Sequence, residues 1–177
     1  MIKLNLTAKI KKIKLILLDV DGVLTNGSVI LGDSNQDIKI FNIHDGLGIK
    51  LAQAGGIEMG IISGRTSEAV TKRADELNIK ILYQDQHNKL EAFEQIKSKQ
   101  QLNDEQIAYI GDDLLDLKIL QKVGLSIAVN NACNEVKNEV DYITISAGGK
   151  GAVREVIELI LKEQGKWQDL IRSFYDF

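Results

Sequence analysis

Short aliphatic runs recur along the chain, and between them the apolar positions shift from continuous to helical spacing. The runs 13–19, 57–62, 79–82, 107–110, 126–129 and 142–145 are four to seven residues long and rich in Ile, Leu and Val. Such runs read as strands buried on both faces. The intervening segments 46–54, 67–77, 88–99, 114–123, 134–138 and 152–162 carry apolar residues three and four apart and read as helices. Alternating strands and helices predict a parallel sheet with right-handed crossovers, a doubly wound α/β fold.

One segment departs from the alternation. Residues 27–42, GSVILGDSNQDIKIFN, have β-rich arms around the polar stretch 33–36 and predict a β-hairpin flap standing off the main sheet. The C-terminal tail, 163–177, is aromatic-rich. The 177 residues are expected to form a single domain, with 44% apolar and 27% charged residues.

Charge and cysteine content narrow the partners. A net charge of -3 offers no basic field for nucleic acid or anionic membrane. Cys133 is the single cysteine, which excludes an intramolecular disulfide and a cysteine-rich metal site. The basic N-terminus leads into an apolar stretch that Lys14 interrupts, too short for a signal-peptide core or a membrane span. A cytoplasmic location is the expectation.

In doubly wound sheets, ligands bind at the carboxyl ends of strands. The unusual polar residues fall there: Asp19 and Asp21 end the first run, Ser63 and Gly64 end the second, and Asp112 and Asp113 follow the fourth. Lys89 opens the helix that begins after the third. Residues i and i+2 of an extended strand share a side, so Asp19 and Asp21 can serve one site. Asp112, Asp113 and Asp116 cluster across a helix start. Carboxylates about 4 Å apart repel by roughly 4 kcal/mol at an effective dielectric of 20. They need a cation or shared protons, and an all-oxygen set suits Mg²⁺.

Taken singly, each feature has an ordinary explanation: strand-end aspartates are common, Ser-Gly caps helices, and acidic residues favour helix N-termini. Together and in order, they assemble a phosphoryl-transfer site. Asp19 is the natural nucleophile, forming an aspartyl-phosphate. Asp21 protonates the leaving alkoxide and later deprotonates the hydrolytic water. Ser63 and nearby N–H groups suit phosphoryl oxygens, Lys89 supplies fixed positive charge, and Asp112 completes the metal shell with Asp19 and Asp21. Asp113 and Asp116 ligate its waters or orient Lys89.

DVDGV (19–23), IISGR (61–65), the Lys89 helix and GDDLLD (111–116), in that order, resemble the haloacid dehalogenase superfamily phosphatases over nearly the whole chain. Asp21 separates it from members that lack this acid. The short intervals Asp21–Ser63 and Ser63–Lys89 leave no room for a cap domain, so something else should cover the site.

FNIHDGLGIK (41–50), SGRTS (63–67) and AGGKGAVREV (147–156) narrow the resemblance to the 3-deoxy-D-manno-octulosonate 8-phosphate phosphatases of lipopolysaccharide sugar synthesis. That resemblance implies a homotetramer, with the hairpin and tail of one subunit reaching toward a neighbour's site. It also implies substrate contacts from Asn42, Ile43, His44, Asp45, Gly46, Lys50, Gly64, Arg65 and Arg73, besides Asp21, Ser63 and Lys89. His44 and Lys50 stand where arginines are usual in relatives. Two alternatives stay open: a nine-carbon sugar acid phosphate or general sugar phosphates as substrate, and a catalytically quiet assembly module. Gly148 to Gly151 lack the spacing of a nucleotide phosphate loop and read as a tight turn into the last helix.

Overall fold

A computed structural model describes residues 2–30, 38–172 and 174. Its frame is a sheet of six strands, all parallel: β1 (Leu15–Leu18), β2 (Glu58–Ile62), β3 (Ile81–Tyr83), β4 (Ile107–Gly111), β5 (Leu125–Ala128) and β6 (Tyr142–Ile143), in the order β3-β2-β1-β4-β5-β6. The chain runs outward from β1 through β2 to β3, then returns to place β4 on the other side of β1. The switch point therefore lies between β1 and β4, where the connections leave in opposite directions. All four residues of β1 are fully buried, as a central strand covered on both faces requires.

The helices are α1 (Ile2–Ile10), α2 (Ile43–Ala54), α3 (Glu68–Glu76), α4 (Lys89–Gln100), α5 (Leu117–Leu120), α6 (Asn134–Lys137), α7 (Ala152–Glu163) and α8 (Trp167–Arg172). Their starts are chemically marked. Asn42 accepts a hydrogen bond from the His44 N–H at 2.8 Å, and Ser67 accepts from the Val70 N–H at 3.2 Å. Val153, Val156, Ile157, Ile160 and Leu161 form the buried stripe of α7, which packs against α2. Among the described residues no helix is long and apolar enough to cross a membrane.

The expected parallel α/β architecture is present, with one local difference. The helix expected over 114–123 is a tight turn, Leu114–Asp116, followed by the short α5. Asp116 turns its carboxylate back to the N–H groups of Asp112 and Asp113, which holds the chain in a tighter coil. The hairpin expected over 27–42 falls partly on 31–37, outside the described residues, and 28–30 and 38–42 carry no strand pairing. In the tail, α8 lies on its own chain. Trp167 packs against the core beneath the charges of Arg154 and Lys162, at 5.3 and 5.1 Å from its ring. Residues 175–177 lie outside the described residues.

Candidate active site

The register of the central strands builds the site. Leu18 pairs with Ile110, and the Asp19 N–H donates to the Ile110 carbonyl at 3.0 Å, carrying the β1–β4 ladder one residue further. Asp19 falls opposite Gly111, and the carboxylate of Asp112, one residue further on, comes within 4.8 Å of it at the switch point. The chain then makes a wide turn over Val20–Leu24. Gly22 is required here twice over: its φ is +95°, and a Cβ would fall 2.0 Å from Asp112 Oδ2.

Lys89, the first residue of α4, enters from below with a side chain only 4% exposed. Its ammonium donates to Asp19 Oδ1 at 2.8 Å and to Asp116 Oδ1 at 2.7 Å. Asp116 is fully buried and its oxygens are saturated. Oδ1 takes Lys89 and the Tyr109 hydroxyl (2.7 Å), while Oδ2 takes the N–H groups of Asp112 (2.9 Å) and Asp113 (3.3 Å). Asp112 is the opposite case, because its Oδ1 is buried without a hydrogen-bond partner. One oxygen from each of Asp19, Asp112 and Asp116 lies within 4.8 Å of the others.

Burial and mutual repulsion hold protons on this cluster. Asp19 is pushed up to about 6, by burial first and by Asp116 next, against the opposing pull of Lys89. Asp112 is pushed up to about 8, by burial and then by Asp19 and Asp116. Burial alone would lower Lys89, but the two carboxylates facing it hold it above the ordinary lysine range. Since Asp116 has no free lone pair to offer, the pair that faces a cation is Asp19 and Asp112. The orphaned Asp112 oxygen and the raised carboxylates suit a hard divalent cation.

The remaining expected residues lie around this edge in different states of engagement. The Asp21 carboxylate stands outside the Asp19–Asp112–Asp116 cluster, and its Oδ1 pairs with Lys39 at 2.5 Å. Ser63 is buried and its Oγ accepts from the Arg65 N–H at 3.2 Å, across Gly64. Asp113 is exposed and caps its own turn through the Leu114 N–H.

Ile43, His44, Lys50 and Arg65 have exposed side chains. Asp45 is buried, accepting from the Arg154 N–H at 2.8 Å, and so ties α2 to the start of α7. Arg73 is committed to Glu76 (2.8 Å), the Asn42 carbonyl (3.2 Å) and the face of Phe41, and it packs against Gly46, where a Cβ would lie 2.4 Å from its guanidinium.

The AGGKG segment is the expected tight turn, and its placement explains its glycines. A Cβ on Gly148 would lie 1.7 Å from the Gly22 carbonyl oxygen. Asn131 spans the same contact, donating to Gly22 O at 3.0 Å and accepting from the Gly148 N–H at 2.5 Å. Gly149 donates to Val23 O, and Asn42 Nδ2 donates to Gly149 O. The start of α2 is thereby fastened to the loop that follows Asp19.

Three contributors had not been expected from sequence: Tyr109, Asn131 and Lys39. A buried tyrosine hydroxyl needs a partner, which is a weak signal for Tyr109. Lys39, a lone cation between Ile38 and Ile40, interrupts an apolar arm. Asn131 leaves no comparable mark.

A parallel sheet with an aspartate pair at its switch point and a buried lysine behind them defines a haloacid dehalogenase-like hydrolase, and a family model of that description matches residues 81–157. The chain is 46% identical to the 3-deoxy-D-manno-octulosonate 8-phosphate phosphatase KdsC of Escherichia coli K12, over 92% of this chain and 86% of that protein. The crystal structure of the Moraxella catarrhalis 3-deoxy-D-manno-octulosonate 8-phosphate phosphatase, in complex with magnesium, phosphate and KDO, superposes with a TM-score of 0.93 at 43% identity, covering 96% of this chain and 97% of that one. The cobalt-bound deoxy-D-mannose-octulosonate 8-phosphate phosphatase of Haemophilus influenzae has a TM-score of 0.87 at 40% identity, covering 89% and 92%. The chain belongs to the 3-deoxy-D-manno-octulosonate 8-phosphate phosphatase family of haloacid dehalogenase-like hydrolases.

Proposed function

We propose that this protein hydrolyses 3-deoxy-D-manno-octulosonate 8-phosphate to the free sugar acid and phosphate, in the cytoplasm, as a step of lipopolysaccharide sugar synthesis. The observation that carries the reading is the Asp19 carboxylate at the β1–β4 switch point, with Lys89 at 2.8 Å on one side and the orphaned Asp112 oxygen on the other. Asp19 and Asp112 would hold Mg²⁺, with the Asp21 loop beside them. When bound, the ion offsets repulsion between the anionic nucleophile and the phosphate dianion.

The protein's own groups carry the transfer. Asp19 attacks phosphorus, the bond from phosphorus to the sugar oxygen breaks, and Asp21 gives that oxygen a proton. Water then attacks the aspartyl-phosphate and returns a proton to Asp21, and the bond from phosphorus to Asp19 breaks. Lys89 keeps its charge throughout, held by Asp116. Ser63 stands with the Gly64 turn for the phosphoryl oxygens. The exposed His44, Lys50 and Arg65 supply cationic and polar groups for the sugar acid's carboxylate and hydroxyls.

We further propose a homotetramer whose subunits cover one another's sites. Val29, Ile30, Ile38 and Ile40 are 42–67% exposed on either side of 31–37, an apolar surface that a neighbouring subunit would bury.

Phosphate release with Mg²⁺ from the eight-carbon and nine-carbon sugar acid phosphates, and from ordinary sugar phosphates, tests the function. The reading expects kcat/KM for the eight-carbon acid at least about tenfold above the rest, or about 1.4 kcal/mol. Equal, slow turnover of all would remove the substrate assignment, and no turnover would favour an assembly role.

A further inference from the structure

The side chain of Lys39 is 5% exposed, and its ammonium lies 2.5 Å from Asp21 Oδ1. Nothing in the reaction as described uses it, although a buried ammonium needs a partner of opposite charge. Its placement is also unusual: it reaches the catalytic loop from the segment between 31–37 and α2, and Asp21 itself is a quarter exposed.

We propose that Lys39 is a positioning residue for Asp21, fixing which of its two carboxyl oxygens carries the travelling proton. The inference rests on the phosphatase reading above. A lysine ammonium only donates. Asp21 Oδ1 is therefore an acceptor whether Asp21 is ionised or protonated, and the mobile proton is confined to Oδ2. A carboxyl group free to rotate would present its proton to the leaving oxygen only part of the time, whereas a pinned one presents it in a single direction.

The proton count stays balanced. In the first step the proton passes from Asp21 Oδ2 to the departing sugar oxygen. In the second, water attacks phosphorus and its proton returns to Oδ2. Lys39 neither gains nor loses a proton in either step. The segment that leads into α2 thus supplies part of the acid/base apparatus as well as surface.

The test exploits the leaving group. p-Nitrophenolate departs from its phosphate ester without needing a proton, so the first step bypasses Asp21 as acid, while hydrolysis of the aspartyl-phosphate still needs it as base. Lys39→Met and Lys39→Arg are compared with wild type in Mg²⁺, by steady-state kinetics on 3-deoxy-D-manno-octulosonate 8-phosphate and by stopped flow on p-nitrophenyl phosphate.

For Lys39→Met the sugar acid phosphate should show kcat reduced roughly 10- to 100-fold with KM within about twofold. The first p-nitrophenolate should be released at nearly the wild-type rate, as a burst approaching one per site. Lys39→Arg should recover most of kcat. A raised KM at unchanged kcat would make Lys39 a substrate contact and overturn the proposal. So would burst and steady-state rates that fall together with a lowered thermal midpoint, which would make it a packing residue, or rates that do not change. If Lys39→Met does not fold, Lys39→Ala, which also removes the donor, is read in the same way. A wild-type protein inactive on both esters would remove the phosphatase reading itself, and the role of Lys39 with it.

Discussion

The backbone N–H of Asp112 donates to the side chain of Asp116 at 2.9 Å, so the residue that fixes Lys89 also fixes the turn carrying Asp112. The two aspartates divide the labour. Asp116 spends all its acceptor capacity inside the protein, and Asp112 keeps a buried oxygen free. Replacing Asp116 by Asn breaks a buried ion pair and is expected to cost about 3 kcal/mol of stability. Tyr109→Phe removes one hydrogen bond to the same oxygen and should cost about 1 kcal/mol. Urea titrations of the two variants check both the sizes and the order.

Asp19→Asn tests covalent chemistry directly. Turnover should fall roughly 10³-fold or more, since the amide is no nucleophile. The metal-free variant should be at least as stable as wild type, because a charge is lost from a crowded cluster. Activity near wild type would remove the aspartyl-phosphate route.

The acidic cluster predicts how stability changes with pH. Asp19 and Asp112 are raised to about 6 and about 8 from an ordinary 3.8. Between those values the folded state binds more protons than the unfolded one, so stability falls as pH rises. With respect to these groups the metal-free protein should therefore be most stable below about pH 4 and lose that stability as pH rises through 6 and 8. Mg²⁺ replaces the protons and should stabilise more at pH 8 than at pH 5. At a hundred times its Kd it adds about 2.7 kcal/mol, or roughly 5–10 °C in Tm for a chain of this size. Melting curves in EDTA and in Mg²⁺ at the two pH values would show whether the order is right.

Gly148→Ala puts a methyl group into the Gly22 carbonyl, and backbone on both sides must move. The expected cost is about 1–3 kcal/mol, together with a higher Mg²⁺ concentration for half-maximal activity as the Asp21 loop shifts. Gly151→Ala is the control for the same turn: its φ of +98° carries backbone strain, but no neighbour lies within 4 Å. It should lose stability without raising the Mg²⁺ requirement.

The proposed tetramer places Ile38 and Ile40 in a subunit interface. Light scattering should give four subunits for wild type and smaller species for Ile40→Lys. A wild-type monomer at assay concentration would exclude the shared-site arrangement.

Much of this protein is legible in one dimension. The strands of the sheet are recorded as continuous apolar runs, because a central parallel strand is covered on both faces and has no reason to alternate. Asp19, Lys89 and Asp112 are legible because each follows or opens an element at the edge where such sheets bind ligands. The helix over 114–123 was misleading for a physical reason. Its apolar spacing is helical, but Asp116 anchors its start to the N–H groups of Asp112 and Asp113 and its first turn, Leu114–Asp116, is wound more tightly.

Only the tertiary structure decided how the carboxylates share their work. Asp112, Asp113 and Asp116 are chemically alike in sequence. They differ because Tyr109 and Lys89 converge on one of them and leave another with a bare oxygen. Lys39 and Asn131 likewise acquire roles only when distant segments meet, at Asp21 and at the Gly22–Gly148 contact. Local periodicity determines the elements and the edge where chemistry collects, since both depend on neighbours along the chain. Which acid binds protein and which is left for metal and substrate depends on contacts across the fold, and these arise only once the strands have packed.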